Sequence, residues 1–244
     1  MTAFDPAASF GPDIAARYDD EHRLGDEAET VALLAELCAG RPALEFAVGT
    51  GRIALPLAQR TSRVDGIELS PAMAEQLRAK PGSDAISVTL GDMATTRLPD
   101  RYGVVYLVFN TIFNIVTQDG QVQCFENARA HLADGGVFVV ETAVPTAWTH
   151  AASYVRPEQV DPGRVTLDVC SYDPVTQLFR ENHVEVSGDG IRFSPIECRL
   201  AGTGELDLMA RIAGLTLLHR WGGWTREPFT ASSVRHVSVY VVAG

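Results

Sequence analysis

Residues 44 to 59 read LEFAVGTGRIALPLAQ and bring a carboxylate, Glu45, close to two glycines, Gly49 and Gly51. A glycine turn entered from an apolar run and left through a helical pattern suits two ligands, a dinucleotide or S-adenosylmethionine. Gly49-Thr50-Gly51-Arg52-Ile53-Ala54 fits the GxGxxA spacing, and Glu68, seventeen residues beyond Gly51, stands where an acid takes ribose hydroxyls. Charge separates the two ligands. A carboxylate at the mouth of the turn repels a pyrophosphate and favours a ligand carrying an ammonium and a sulfonium. Glu45 therefore points to S-adenosylmethionine.

The elements around the turn follow from apolar spacing. Residues 27–39 repeat at helical period, ALEFAV forms the first strand, and SRVDGIEL (62–69) the second. Ser70 and Pro71 then supply an N-cap and a first-turn proline for the helix AMAEQLRAK. ISVTLGD is the third strand, and GVVYLVF (103–109), apolar almost throughout, is a parallel strand covered on both faces. A helix marked by Val122, Phe125, Ala128 and Leu132 leads to the fifth strand, GVFVVETA. After residue 150, RVTLDVCSYD, TQLFRENHVEVS and IRFSPIECR are extended runs, with a turn at Gly188-Asp189-Gly190. ELDLMARIAG is a helix closed by Gly214, and LTLLHRWGG and VRHVSVYVVA are final strands joined through Pro228. The expected fold is α/β, a Rossmann-like, doubly wound and mostly parallel seven-stranded sheet with an antiparallel β lid inserted after strand five. The lid, residues 151–200, is expected over the C-terminal edge of the sheet, where ligands of open α/β sheets sit.

With 244 residues, 46% of them hydrophobic, the chain is expected to form one domain, residues 1–244. The start MTAFDPAASFGPD lacks the pattern of a signal peptide, and no apolar run is long enough for a membrane span, so a cytoplasmic protein is expected. Cys38, Cys124, Cys170 and Cys198 are widely separated and no histidines cluster, so neither disulfides nor a metal site is indicated. A formal charge of −11 with scattered basic residues argues against nucleic acid and suits a small or locally cationic acceptor. The chain is expected to be a monomer or homodimer.

The order of these motifs resembles the class I S-adenosylmethionine-dependent methyltransferases, in the small-molecule branch with a variable lid, over almost the whole chain. The resemblance implies that the loop from Glu45 through Ala47, Gly49 and Thr50 to Gly51 wraps the methionine part of S-adenosylmethionine, with S-adenosylhomocysteine as product. It implies further that Glu68, with Leu69 in GIELSPAM, meets the ribose hydroxyls, that Met73 packs on adenine, and that Asp92 and Met93 in LGDM meet the adenine amino group and ring. VFNTIFN (108–114), with Phe109 and Asn110, matches the loop lining the methyl-transfer channel. ARYDDEH matches the family's cofactor-covering segment, placed at residues 1–26, with Tyr18 near the sulfonium and Arg23 facing the cofactor carboxylate. The family's usual glycine is replaced here by Ala47, which narrows the space for close approach.

For the acceptor, Asn110, Phe113 and Asn114 lie beyond the fourth strand, and Trp148 and His150 enter the insertion. The catalytic candidates are Tyr18, Glu141 and His150. Each has a structural alternative: core packing for Met73, Phe113 and Tyr18, backbone satisfaction for Asn110 and Asn114, and a solvated turn for Glu141, Trp148 and His150. His183 is expected to be an exposed lid residue, and His22, His131, His219 and His236 structural; Trp221 or Trp224 meets the acceptor or packs a hairpin end. The resemblance implies in-line transfer of a methyl group to an N or O nucleophile of a small molecule, with FNTIFN replacing the NPPY-type motif of base methylation. Three alternatives remain: a peptide N-methyltransferase, an S-adenosylmethionine-binding protein without transfer, and an NAD-dependent dehydrogenase.

Overall fold

The computed structural model describes residues 9–21 and 25–244. Two short helices, α1 (Pro12–Ala15) and α2 (Tyr18–Glu21), precede the longer α3 (Glu27–Cys38) and β1 (Ala43–Phe46). There follow α4 (Ala54–Ala58), β2 (Val64–Glu68), α5 (Pro71–Arg78), β3 (Ile86–Leu90) and β4 (Tyr102–Leu107). The chain continues through a 3-10 turn (Thr111–Asn114), α6 (Gln118–His131) and β5 (Leu132–Ala143). Next come β6 (Ser153–Asp161), β7 (Arg164–Asp173), β8 (Leu178–Ser187) and β9 (Gly190–Arg199), then α7 (Thr203–Ile212), β10 (Leu215–Trp221) and β11 (Arg235–Val242). Ser70 caps α5 as its pattern demands, its Oγ accepting from Met73 N at 3.2 Å.

The strands form a seven-stranded sheet in the order β10-β11-β5-β4-β1-β2-β3 and a separate four-stranded sheet β6-β7-β8-β9. In the large sheet only β11 runs against its neighbours. Both faces of this sheet are covered, so β4 alternates between two apolar layers: Val105 and Leu107 pack with Phe46 and Phe138, while Val104 and Tyr106 pack with Val31 and Leu57. Strand order reverses between β1 and β4, which opens a crevice beyond their carboxyl ends.

The insertion has one strand more than its sequence suggests. β6 contains Pro157 and several charged residues, a composition that reads as loop, yet it pairs antiparallel with β7. A register shift between Pro157 and Gln159 explains how: proline is tolerated on an edge strand at an irregularity, where no ladder donor is needed. Arg199, at the end of β9, ties the small sheet to the helices α6 and α7. Its buried guanidinium donates to Gln121 Oε1 of α6 at 2.7 Å, to Gln177 Oε1 at 2.5 Å and to Glu205 Oε1 of α7 at 2.6 Å. No described helix is long and apolar enough to cross a membrane.

Candidate active site

The loop after β1 turns on three left-handed residues, Ala47 (φ 53°), Gly49 (φ 57°) and Gly51 (φ 78°). Gly51 is also pinned by space, because a Cβ there would lie 2.8 Å from Leu77 Cγ. Ala47 holds a conformation that L residues avoid at a cost of about 1 kcal/mol. The carboxylate of Glu68, at the end of β2, ties this loop to the next: Oε2 accepts from Gly49 N at 2.8 Å and Oε1 from Ser70 N at 2.7 Å. Burial raises its pKa against the pull of those N–H donors.

Beyond these strand ends lies a cleft of about 340 Å³ whose walls include Ala47, Glu68, Leu69, Asp92, Met93 and Asn114. Asp92 is oriented by Ala94 N, which donates to its Oδ1 at 2.7 Å. The chemistry of the walls suits a nucleoside: an acid for vicinal hydroxyls, a second acid beyond β3, and apolar faces from Leu69 and Met93. Volume and lining are those of a small-ligand site. Phe10, Ile115 and Thr117 also stand in the walls, without any signal in the sequence beyond their place in loops.

Glu45 occupies a different place from the one its sequence position suggests. It is 3% exposed and lies on β1 behind the turn rather than at its mouth. Register sets it opposite Tyr106 of β4, whose hydroxyl donates to Oε2 at 2.8 Å. Burial, opposed by the Tyr106 hydrogen bond and by Arg52, pushes its pKa up to about 8. Met73 is likewise buried behind Gly49, 3.5 Å from where a Cβ of that residue would stand.

The loop after β4 is strained. Phe109 (φ 59°) and Asn110 (φ 62°) are consecutive left-handed residues without glycine. Glu141 of β5 holds them, its Oε2 accepting from Phe109 N at 2.5 Å, while Asn110 Oδ1 accepts from Ala143 N. Glu141 is buried and desolvation raises its pKa, so the structure uses it as an anchor behind the loop rather than presenting it to an acceptor. Phe113 is fully buried, edge-on to Trp148 at 5.9 Å, and Trp148 lies 5.7 Å from Phe179 of the small sheet. Asn114 reaches that sheet too, through Cys198 Sγ at 3.6 Å. His150 is exposed beside Tyr154 and is no part of the cleft wall, because the turn after β5 carries it outward. Trp224 is buried, and His131 and His236 sit in the interior on hydrogen-bond partners.

The N-terminal segment closes over the turn. Thr50 Oγ1 donates to Asp19 Oδ1, Lys80 pairs with Asp19, and Ser70 Oγ donates to Phe10 O at 2.7 Å. Tyr18 packs against Phe10 with Arg52, Glu68 and Glu45 around it, and burial pushes its hydroxyl pKa up to about 12. Arg23 and His22 lie outside the described residues.

One cluster has no counterpart in the sequence reading. Asp168, Glu181 and His183 on β7 and β8 bring ligand atoms within 4.8 Å of one another. His183 is partly buried rather than an open lid residue, its Nδ1 2.6 Å from Asp168 Oδ1. Only antiparallel pairing, which sets 168 opposite 183, could have announced it.

Comparison with known proteins agrees with this geometry. Residues 43–136 match the model of a family described as "Methyltransferase domain". The structure of the CcbJ methyltransferase from Streptomyces caelestis superposes with a TM-score of 0.92 at 37% identity, covering 99% of this chain and 100% of that one. A cypemycin N-terminal methyltransferase from Streptomyces sp is 26% identical over 197 residues, 80% of each chain. A dTDP-3-amino-3,6-dideoxy-alpha-D-glucopyranose N,N-dimethyltransferase from Streptomyces fradiae is 29% identical, covering 77% of this chain and 71% of its own. The glycine turn, the acid ending β2 and the reversed strand order stand together at one sheet edge, and the chain belongs to the S-adenosylmethionine-dependent methyltransferases of class I fold.

Proposed function

We propose that this enzyme methylates an amine nitrogen of a small molecule. The observation that carries this reading is the disposition of the four-stranded sheet, which meets the loop after β4 through Asn114 and Trp148 and carries the carboxylates of Asp168 and Glu181 on the same face as Phe179. Residues 151–200 then form the lid over the acceptor, and the described part of the N-terminal segment, residues 9–21, covers the donor. Two relatives whose names specify an amine, one an amino sugar and one a peptide N-terminus, support the same class of nucleophile.

Bound in the cleft, S-adenosylmethionine supplies a methyl group already activated by positive sulfur. Glu68 accepts the ribose hydroxyls, Asp92 and Met93 hold the adenine, and the backbone of residues 47–51 wraps the methionine moiety. Glu45 acts from behind, its carboxylate ionising to balance ligand cations. Tyr18 and Phe10 cover the reacting centre and exclude water, so the protein acts chiefly through alignment.

The test is methyl transfer, read by mass spectrometry, to dTDP-3-amino-3,6-dideoxyglucose, to a short peptide with a free α-amine, and to hydroxyl analogues of both. Mass gain on an amine alone supports the reading, and the better amine decides between sugar and peptide. Transfer to the hydroxyl analogues alone, or binding of S-adenosylhomocysteine without turnover of any acceptor, overturns it.

A further inference from the structure

The small sheet turns one face toward the donor domain, and its register arranges that face in rows. Tyr172, Phe179 and Cys198 form the first, Tyr154, Cys170 and Glu181 the second, and Arg156, Asp168, His183 and Ser194 the third. The ends of the face are located by contacts. In the first row Cys198 meets Asn114, and beyond the third row Arg164 NH2 lies 3.9 Å from Glu21 Oε1 of α2. Glu181 and His183 therefore stand in the rows between the loop after β4 and the N-terminal cover.

Within the third row Asp168 is 1% exposed and doubly held, its Oδ2 accepting from Arg156 at 2.7 Å and its Oδ1 from His183 Nδ1 at 2.6 Å. A proton held on Nδ1 leaves the lone pair on Nε2. That nitrogen lies 3.7 Å from Glu181 Oε2, and the ring is about one third exposed, at 32%, open to proton exchange with water. Buried carboxylate, oriented imidazole and a second carboxylate beside its free edge make an acid–base device.

We propose that His183, oriented by Asp168, accepts a proton from the acceptor's ammonium while Glu181 holds that ammonium in place. This rests on the amine reading above. The ammonium gives one N–H proton to Nε2, and the freed lone pair forms the N–C bond as the C–S bond breaks with its electron pair to sulfur. The positive charge then resides on the methylated nitrogen, and the imidazolium returns its proton to solvent. The groups facing His183 are Asp168, Arg156 and Glu158 from β6 and β7, with Glu181 and Cys170 in the adjoining row. Arg164 and Glu185 pair beyond it, and β9 offers the uncharged Ser194. The Asp168 hydrogen bond, opposed by burial, holds the imidazole pKa above its ordinary value.

The experiment compares the wild type with His183→Gln, Asp168→Asn and Glu181→Gln, using whichever of the two amine probes turns over. An NMR titration of the imidazoles in the free protein gives a second readout, with His183→Gln assigning the resonance. S-adenosylhomocysteine affinity is the control for folding; where His183→Gln loses it, Glu181→Gln and the titration decide. In the wild type, kcat/KM should fall on the acid side as the raised His183 pKa is crossed. His183→Gln should lower kcat by about 10²-fold, in the range of general base catalysis, and move that limb up to the amine's own pKa. Asp168→Asn should lower the imidazole pKa and shift the acid limb with it, and Glu181→Gln should raise KM for the amine more than it lowers kcat. An acid limb unmoved in His183→Gln overturns the proposal while leaving N-methylation standing. So does stoichiometric Mn²⁺ binding that is lost in His183→Gln together with activity abolished by EDTA, because the cluster would then be a metal site. No turnover of either amine, with S-adenosylhomocysteine bound normally, overturns the amine reading itself.

Discussion

Replacing Glu45 by glutamine should stabilise the ligand-free enzyme at neutral pH while weakening its hold on S-adenosylmethionine. The carboxyl group is buried with Tyr106 as its hydrogen-bond donor, and burial moves its pKa from 4.5 to about 8. A folded-state pKa above the unfolded one means that folding favours the protonated acid. The stability contributed is complete below about pH 4.5 and is lost as pH rises toward 8. Each pH unit in that window costs about 1.4 kcal/mol, so by pH 7 the wild type has lost about 3 kcal/mol that an uncharged amide does not lose. Glutamine is isosteric and its carbonyl oxygen still accepts from Tyr106, so little packing changes. Urea unfolding at pH 5 and pH 7 should show the variant gaining about 3 kcal/mol relative to wild type between the two, a shift in Tm on the order of 10 °C at this chain size. Calorimetry should show the opposite for the ligand: S-adenosylmethionine loses affinity more than the uncharged-sulfur product, because only the former carries a sulfonium that favours the ionised carboxylate of Glu45 over the protonated acid. Parallel pH profiles for the two proteins would refute the burial argument, and equal losses for both ligands would refute the charge argument.

Glu68→Gln should weaken S-adenosylmethionine and S-adenosylhomocysteine alike, by about tenfold for a charge-assisted hydrogen bond worth roughly 1.5 kcal/mol; calorimetric loss confined to one ligand would contradict a ribose contact. Gly51→Ala should destabilise by on the order of 2 kcal/mol, since its φ is 78° and a Cβ would meet Leu77 at 2.8 Å; urea unfolding checks this. Arg199→Met should cost several kcal/mol by leaving Glu205 without its buried partner. Limited proteolysis should then open the β9–α7 region before the donor domain.

Much of the fold was legible because its signals are local. β2, Ser70, Pro71 and α5 succeed one another as capping and period demand, and continuous apolar strands such as β4 announce a sheet covered on both faces. β6 was not legible, since Pro157 and its charged neighbours deny the usual alternation and pairing with β7 alone makes them a strand. Glu68, Asp92, Met93 and Asn114, far apart in sequence, line one cleft. Glu141 and His150 illustrate the limit: the same carboxylate or imidazole becomes an anchor or a surface group according to where a turn directs it.

The sequence by itself determined the donor half of this enzyme: alternating strands and helices, a turn with two glycines, and an acid at the end of the next strand. Spacing along the chain is enough there, because a strand–turn–helix unit positions its own ligand groups. Tertiary structure alone decided that Glu45 lies beneath the turn with Tyr106, that Phe109 and Asn110 are held by Glu141, and that Asp168 and His183 share a row. Those relations join residues 15 to 61 positions apart. Strand register sets them, and a shift of one residue would turn each side chain to the opposite face.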